Sequence, residues 1–315
     1  MSFRAYLRIM HEIDLALSLI TCLSLREKLL LKNLLDSLDA LSVLSIEDIS
    51  QMVGRPVTPD FWDAKALCHD ARLAQRLLEK LGIESVLYDH AQYPALLRET
   101  LNAPYALFYR GSLTALHQKC ISLVGTRAVC EEGARAAFEL AKDACLDGCT
   151  VVSGLAYGID TFAHKGALSA QKGATVAVLP CGIDTVVPYA NRLLAQHIID
   201  GGGALVSEYV PGMPVEKWRY VQRNRIIAAL SGVTVVVQAP PGSGALITAD
   251  FALEFNRDVV LHQACFCDAA KKVKPNRLAK KPKAKRTVQM LAEEGAAIVS
   301  DYAGLVQVLA KAPGT

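Results

Sequence analysis

From residue 119 onward the chain alternates short apolar runs rich in β-branched residues with segments of helix length. No other feature of its 315 residues constrains the fold class as tightly. The runs are Ile121 to Val124, Thr150 to Ser153, Thr175 to Leu179, Ala204 to Ser207, Val233 to Val237 and Asp258 to Leu261, and segments such as Glu131 to Leu146 and Ala245 to Phe255 lie between them. Strands apolar throughout are buried on both faces, and crossover helices between them predict a parallel, doubly wound α/β sheet. Such sheets take ligands at the carboxyl ends of their strands. Towards the end of the chain, "TVQMLAEEGAAIVSDYAGLVQVLAK" reads as helix, short strand, helix, and no internal repeat is visible.

The first 80 residues follow a different period. Leucine and isoleucine recur at helical spacing in "LREKLLLKNLLDSL" and "DARLAQRLLEKLG", interrupted by "VGRPVTP" at 53 to 59, which predicts a small all-helical module. Prolines and aromatics in "YPALLRETLNAPYALFYRG", residues 93 to 111, read as an irregular connection, so a boundary falls between 80 and 115.

With 52% hydrophobic and 21% charged residues, the chain has enough apolar material for a large core. The formal charge of +3 does not by itself imply a polyanionic partner, but Lys271 to Arg286 holds nine of the 34 basic residues and no acid, leaving −6 on the remainder. Residues 266 to 286 therefore read as a basic insertion. Nine cysteines are scattered without a CxxC pair, and the spacing of Cys265 and Cys267 suits neither a zinc knuckle nor a redox motif. Buried thiols in a reducing compartment are expected, with no metal site. Arg4, Arg8, Glu12 and Asp14 interrupt the N-terminal apolar stretch, so no signal peptide is read there. No run approaches the ~20 apolar residues of a membrane helix, and a cytoplasmic location is expected.

The turns after the strands carry the chemistry. They are Gly125-Thr126-Arg127, then Ser153-Gly154 leading to Gly158-Ile159-Asp160, then Pro180-Cys181-Gly182, then Pro240-Pro241-Gly242-Ser243-Gly244. Glycine lets backbone approach a ligand, and helix N-termini present free N–H groups with a positive dipole. Any one of these turns is equally well explained as a tight βα connection. Four on one sheet edge, with the hydroxyls of Ser153 and Ser243 and the guanidinium of Arg127, point to a phosphate cradle for a nucleotide or a nucleic-acid backbone. No P-loop and no GxGxxG is present, which disfavours an ordinary NTPase or NAD site.

In "EKWRYVQRNRIIAALS", residues 216 to 231, Lys217, Arg219, Arg223 and Arg225 interleave with Trp218 and Tyr220. Charge that tracks phosphates, alternating with rings that stack on unpaired bases, suits single-stranded nucleic acid. A solvated helix start with Trp218 in the core fits equally well. His164 is read as a base, a capping donor or a structural histidine, with no Ser-His-Asp or Cys-His order in sight. Asp160 is expected to cap a helix. Glu208 stands alone, without the second carboxylate that acid–base work requires.

The ordered series "YPALLRETLNAPYALFYRG", "VGTR", "VVSGLAYGIDTFAH", "VLPCGIDTVVPYANRLL", "SEYVPG", "RNRIIAALS" and "GSGALITADFALE" closely resembles the DNA-processing protein family DprA, also called Smf, over residues 81 to 261. The resemblance implies a Rossmann-like, mostly parallel sheet over 81–310, preceded by a SAM-like helical module over 1–80. It implies a homodimer that binds single-stranded DNA irrespective of sequence, protects it during natural transformation and helps load the recombinase RecA, with no cofactor and no catalytic activity. Arg127, Lys217 and Tyr220 match the family's DNA pocket, and the Ser153-Gly154 and Ser243-Gly244 turns match its small-residue rim. With Gly125 and Thr126 of the first turn and Arg223, Asn224 and Arg225 of the RNR element, these make up the candidate DNA-binding residues.

The sequence also departs from the family pattern. GTR stands for the usual GSR, Tyr220-Val221 for Phe-Pro, and "APPGSGALIT" lacks a polar residue often found before SGSLIT. The basic insertion is not part of the usual pattern, and the winged-helix domain carried by many members is expected to be missing. An alternative reading is a phosphoribohydrolase-like nucleotide hydrolase, whose PGGxGTxxE loop is faintly similar to "PGSGALITADFALE"; Glu254 comes a helical turn too late for that chemistry.

Overall fold

The computed structural model describes residues 10–59, 61–170, 174–273 and 286–311. Most of the basic run, 274–285, lies outside the described residues. One nine-stranded sheet organises the chain: β1 (Glu84–Leu87), β2 (Ala106–Gly111), β3 (Cys120–Gly125), β4 (Thr150–Ser153), β5 (Ala174–Val178), β6 (Ala204–Ser207), β7 (Val233–Gln238), β8 (Asp258–His262) and β9 (Ala297–Val299). Their spatial order is β1-β2-β6-β5-β4-β3-β7-β8-β9. Every pair from β6 to β9 is parallel, as the uniformly apolar runs predict.

The β1–β2 edge corrects the reading of residues 93 to 111 as irregular. Residues 106–111 form β2, antiparallel to β6, and β1 pairs antiparallel with β2. Pro104 and Gly111 bracket a strand whose Ala106, Leu107, Phe108 and Tyr109 are all buried. Unlike the strands of the crossover region, β1 and β2 are joined by no full crossover helix, only by the four-residue turn of helix Ala95–Arg98.

Alternate strand residues feed opposite faces of the sheet. On one side Val124, Val152, Val176 and Val236 pack with Ile226, Ile227, Leu246 and Ala249 of the helices Lys217–Ala229 and Gly244–Glu254. On the other, Ile121, Leu123, Val151 and Val235 pack with Ala137, Leu140, Ile159 and Ala163 of the helices Glu131–Leu146 and Ile159–Ser169. Fully burying each of these valine, leucine and isoleucine side chains contributes about 1.5–3 kcal/mol, and each alanine methyl less.

Five helices precede the sheet: Glu12–Leu19, Leu25–Leu34, Leu38–Ser42, Ile46–Val53 and Ala64–Leu81. Their ends are set by local chemistry. Ser24 and Ser45 form capping boxes with Glu27 and Asp48, while Gly54 and Gly82 close helices in the left-handed conformation. Gly54 accounts for the break seen at 53 to 59. Leu15, Leu17, Leu31, Leu41 and Ile49 are fully buried and share one apolar cluster with Ala177 within β5, Leu179 just after it, Leu205 of β6 and Phe108 of β2. Lys32 reinforces this seam with ion pairs to Asp14 and Asp89.

His164 is fully buried on the helix Ile159–Ser169, its Nδ1 2.8 Å from Thr175 Oγ1. This is the structural role among those open to it. Burial, assisted by the charge of Arg223, drives its pKa down to about 3. The folded protein therefore binds fewer protons than the unfolded chain between the ordinary imidazole value and that point. The resulting stability is fully present above ~6.5 and lost as pH falls towards 3, at up to about 1.4 kcal/mol per pH unit. Urea midpoints between pH 7 and pH 4.5 are expected to fall more steeply for the native chain than for His164→Asn; equal slopes contradict this account.

Candidate nucleic-acid interface

The chain winds outward from β3 through β4, β5 and β6 to one side, then through β7, β8 and β9 to the other. The reversal lies between the neighbours β3 and β7, where an open α/β sheet leaves a crevice at its carboxyl edge. A cleft of about 700 Å³ occupies that position, lined by the turn after β3, the turn after β7 and one face of the helix Lys217–Ala229.

The turn after β3 is held rigidly. Thr126 N donates to Gln238 O at 2.7 Å, Thr126 O accepts from Ile159 N at 3.1 Å, and Thr126 Oγ1 accepts from Ala128 N at 3.2 Å. This leaves the side chain of Arg127 exposed over the cleft, its guanidinium carbon 5.3 Å from the centroid of the half-buried Tyr220 ring. Lys217 is exposed on the same wall. No carboxylate among the described residues forms an ion pair with Arg127 or Lys217. The buried Asp160 carboxylate also borders the cleft, yet two exposed cations beside an aromatic face, neither in an ion pair among the described residues, make it receptive to anions and to flat rings.

Helical periodicity divides the basic stretch. Lys217, Tyr220, Val221 and Asn224, spaced three and four apart, line the cleft. Trp218, Gln222 and Arg225 line a second cleft on the other side, together with Lys28 and Glu208. Arg225 is thus not brought to the first cleft: it pairs with Glu208. Trp218 is half exposed, edge-on to Tyr209, rather than in the core. Arg219 is buried, donates to Pro214 O at 2.6 Å and stacks over Tyr209.

Arg223 borders the first cleft but is itself buried, donating through Nη1 to Val178 O at 2.6 Å. Burial lowers its pKa to about 10 although the charge of Asp160 opposes that shift. Asp160 does not cap its helix. Its carboxylate accepts from Gly154 N at 3.1 Å and Ala156 N at 3.3 Å, fastening the preceding loop; burial raises its pKa while Arg223 pulls it down. Gly154 serves Arg223 rather than a ligand, since a Cβ there would stand 1.8 Å from Arg223 Nη1. Ser153 is fully buried, its hydroxyl donating to Leu123 O at 2.6 Å, and so is absent from the cleft.

On the opposite wall Ser243 caps the helix Gly244–Glu254, accepting from Ala245 N at 3.4 Å, and Gly244 O accepts from Asn224 Nδ2 at 3.2 Å. The N-terminus of this helix faces the cleft and adds its positive dipole. Gly125, Thr126, Arg127, Lys217, Tyr220, Arg223, Asn224, Ser243 and Gly244 therefore converge on one cleft, whereas Ser153, Gly154 and Arg225 do not line it. Thr248, one helical turn after Gly244, lines the cleft too and was not singled out in the sequence; its i+4 spacing from Gly244 was the available signal. Glu254 is exposed and does not line the cleft.

A Rossmann-like sheet with a cationic, aromatic-walled cleft at its switch point places the chain among the open α/β proteins whose carboxyl edge suits an anionic ligand. The family of DNA recombination-mediator protein A matches residues 84–310, and the chain belongs to that family. Among curated relatives it is 42% identical to protein Smf of Synechocystis sp. over 54% of this chain and 44% of that one, and 42% identical to protein Smf of Escherichia coli over 58% and 48%. It is 38% identical to DNA processing protein DprA of Streptococcus pneumoniae over 69% of this chain and 74% of that one. The matched stretch thus spans about half the length of the two Smf proteins. The X-ray structure of Streptococcus pneumoniae DprA superposes with a TM-score of 0.69 at 28% identity, covering 97% of this chain and 99% of that one. The Helicobacter pylori protein, reported for its single-stranded DNA binding mode, shares the fold with a TM-score of 0.59 at 24% identity, covering 73% and 96%. No helix among the described residues is long and apolar enough to cross a membrane.

Proposed function

We propose that the chain binds single-stranded DNA, without sequence preference, through the cleft between the turn after β3 and the helix Lys217–Ala229. It acts there as a binding protein rather than an enzyme, working as a homodimer that protects single strands and delivers them to the recombinase RecA during recombination and natural transformation. The observation that carries this reading is the meeting of two exposed cations, Arg127 and Lys217, neither in an ion pair among the described residues, with the half-buried Tyr220 ring on one wall. Phosphates need the cations and unpaired bases need the ring; duplex bases stacked on one another offer no face to it. Family membership and the single-stranded DNA binding described for the Helicobacter pylori relative support it.

Fluorescence anisotropy of a labelled ~20-nucleotide oligo-dT, against a duplex of equal length, tests the proposal at several salt concentrations. Tight binding to the single strand, falling linearly in log–log form with salt, is expected. Equal binding to duplex, or none to either, contradicts it.

A further inference from the structure

We propose that Cys130, Glu132 and Cys267 form a binding site for a divalent, thiophilic metal ion, with Zn²⁺ the ion their donors suit best. The site stands apart from the DNA cleft and does not depend on the reading given to it. The two cysteines are 137 positions apart, yet their Sγ atoms lie 3.8 Å from each other, and an oxygen of Glu132 completes a set of donor atoms all within 4.8 Å of one another. The expectation of no metal site rested on the CxC spacing of Cys265 and Cys267, and the partner that matters lies elsewhere in the sequence.

The separation of the two sulfurs is informative. Sulfur ligands about 2.3 Å from a tetrahedral zinc ion stand about 3.8 Å apart. A disulfide would need them at about 2.05 Å. Two reduced thiols in contact, one donating to the other, stand at this distance too, so an ion can enter between the pair without moving it apart. Each sulfur is also oriented by backbone. Cys130 Sγ accepts from Gly133 N at 3.5 Å as cap of the helix Glu131–Leu146, and Cys267 Sγ accepts from Ala270 N at 3.3 Å. Such bonds aim ligand lone pairs and offset thiolate charge. Both cysteines are half-buried and Glu132 is exposed, so an ion can reach them and water can fill a fourth position. Gln238 Oε1, 3.4 Å from Cys130 Sγ, is a further oxygen at the site. Two thiolates with a carboxylate favour zinc over magnesium or calcium, which take oxygen donors.

Occupancy joins distant parts of the chain. Cys267 follows β8, four residues before the basic run begins at Lys271, while Cys130 ends the turn that presents Arg127. Gln238 already bonds both ends of that turn, accepting from Cys130 N at 3.2 Å through Oε1 and from Thr126 N at 2.7 Å through its backbone oxygen. A bound ion would steady this turn and release one proton to solvent from each thiol it coordinates.

The test is a titration of the reduced, metal-free full-length protein with Co²⁺, followed by displacement with Zn²⁺. One equivalent of Co²⁺ is expected to produce a thiolate-to-cobalt charge-transfer band with the visible bands of a tetrahedral site, and Zn²⁺ to abolish both. Cys130→Ser and Cys267→Ser should each lose the charge-transfer intensity of one thiolate and weaken binding by at least about tenfold, the smaller end of what losing even an outer-shell partner costs. Serine is itself a good helix cap, so these variants keep their fold, which the unfolding midpoint without metal checks. Cys22→Ser, altering a half-buried thiol among the N-terminal helices, should leave the spectrum unchanged. A native protein without a saturable band, or a Cys130→Ser, Cys267→Ser double variant that retains it, overturns the proposal.

Discussion

Replacing Arg127 and Lys217 together by alanine is expected to weaken binding of a short oligo-dT by at least about tenfold while leaving the urea midpoint unchanged. Both side chains are exposed and neither is in an ion pair among the described residues, so removing them strands no buried partner. Their contribution falls instead on the ligand. For single strands each neutralised phosphate contributes about 0.7 to the slope of log K against log salt, so the double variant should titrate with a slope shallower by roughly 1.4. Loss of affinity without that change in slope would mean that the cations act through something other than phosphate. Arg225→Ala supplies the contrast. That arginine faces the other cleft and pairs with Glu208, so its loss should lower stability and leave oligo-dT affinity close to native. Anisotropy and urea unfolding on the same preparations separate the two cases, and unchanged affinity in the double variant removes the cleft assignment.

The same two arginines show where sequence reading works and where it stops. The strands β4 and β6 run over the residues their β-branched composition marks, because strands buried on both faces declare themselves by continuous apolarity. β1 and β2 were not legible, because they join the sheet antiparallel at its edge through tertiary pairing with β6, and Pro104 made the segment look irregular. Within 216 to 231 the linear alternation of charge and ring merged three helix faces into one. Lys217, Tyr220 and Asn224 face the first cleft, Trp218 and Arg225 the second, and Arg219 and Arg223 the interior. A period of 3.6 residues separates the first two sets in the sequence. What it does not reveal is that the interior holds two arginines: the partners of Arg223, the oxygen of Val178 and the carboxylate of Asp160, arrive from other parts of the chain, and the local partners of Arg219, Pro214 O and Glu216, look in sequence like those of any exposed helix start. Ser153 failed for a related reason: strand-end hydroxyls look alike in sequence whether they meet a ligand or a neighbouring strand.

Gly158→Ala is expected to be among the most damaging single-methyl changes at the site, costing roughly 3 kcal/mol or more. Gly158 opens the helix Ile159–Ser169 at φ +76° and ψ −128°, a conformation that side-chain-bearing residues rarely adopt. A Cβ there would also meet Thr126 O at 2.2 Å and Arg127 O at 2.7 Å. Both obstacles are backbone, so no side-chain rotation relieves them, and Ile159 N is bonded to the same Thr126 O. Relief requires parting the two turns, which displaces Arg127. Gly148→Ala isolates the conformational share: Gly148 has φ +80° but no atom of the described residues within 4 Å of where its Cβ would stand, so its replacement should cost only about 1 kcal/mol. Urea unfolding of both variants gives the difference that belongs to contact. Oligo-dT anisotropy should register a loss for Gly158→Ala alone, because only that glycine holds the turn that carries a cation. Equal destabilisation of the two variants, or native affinity in a folded Gly158→Ala protein, would break the link between the packing of these turns and the placement of Arg127.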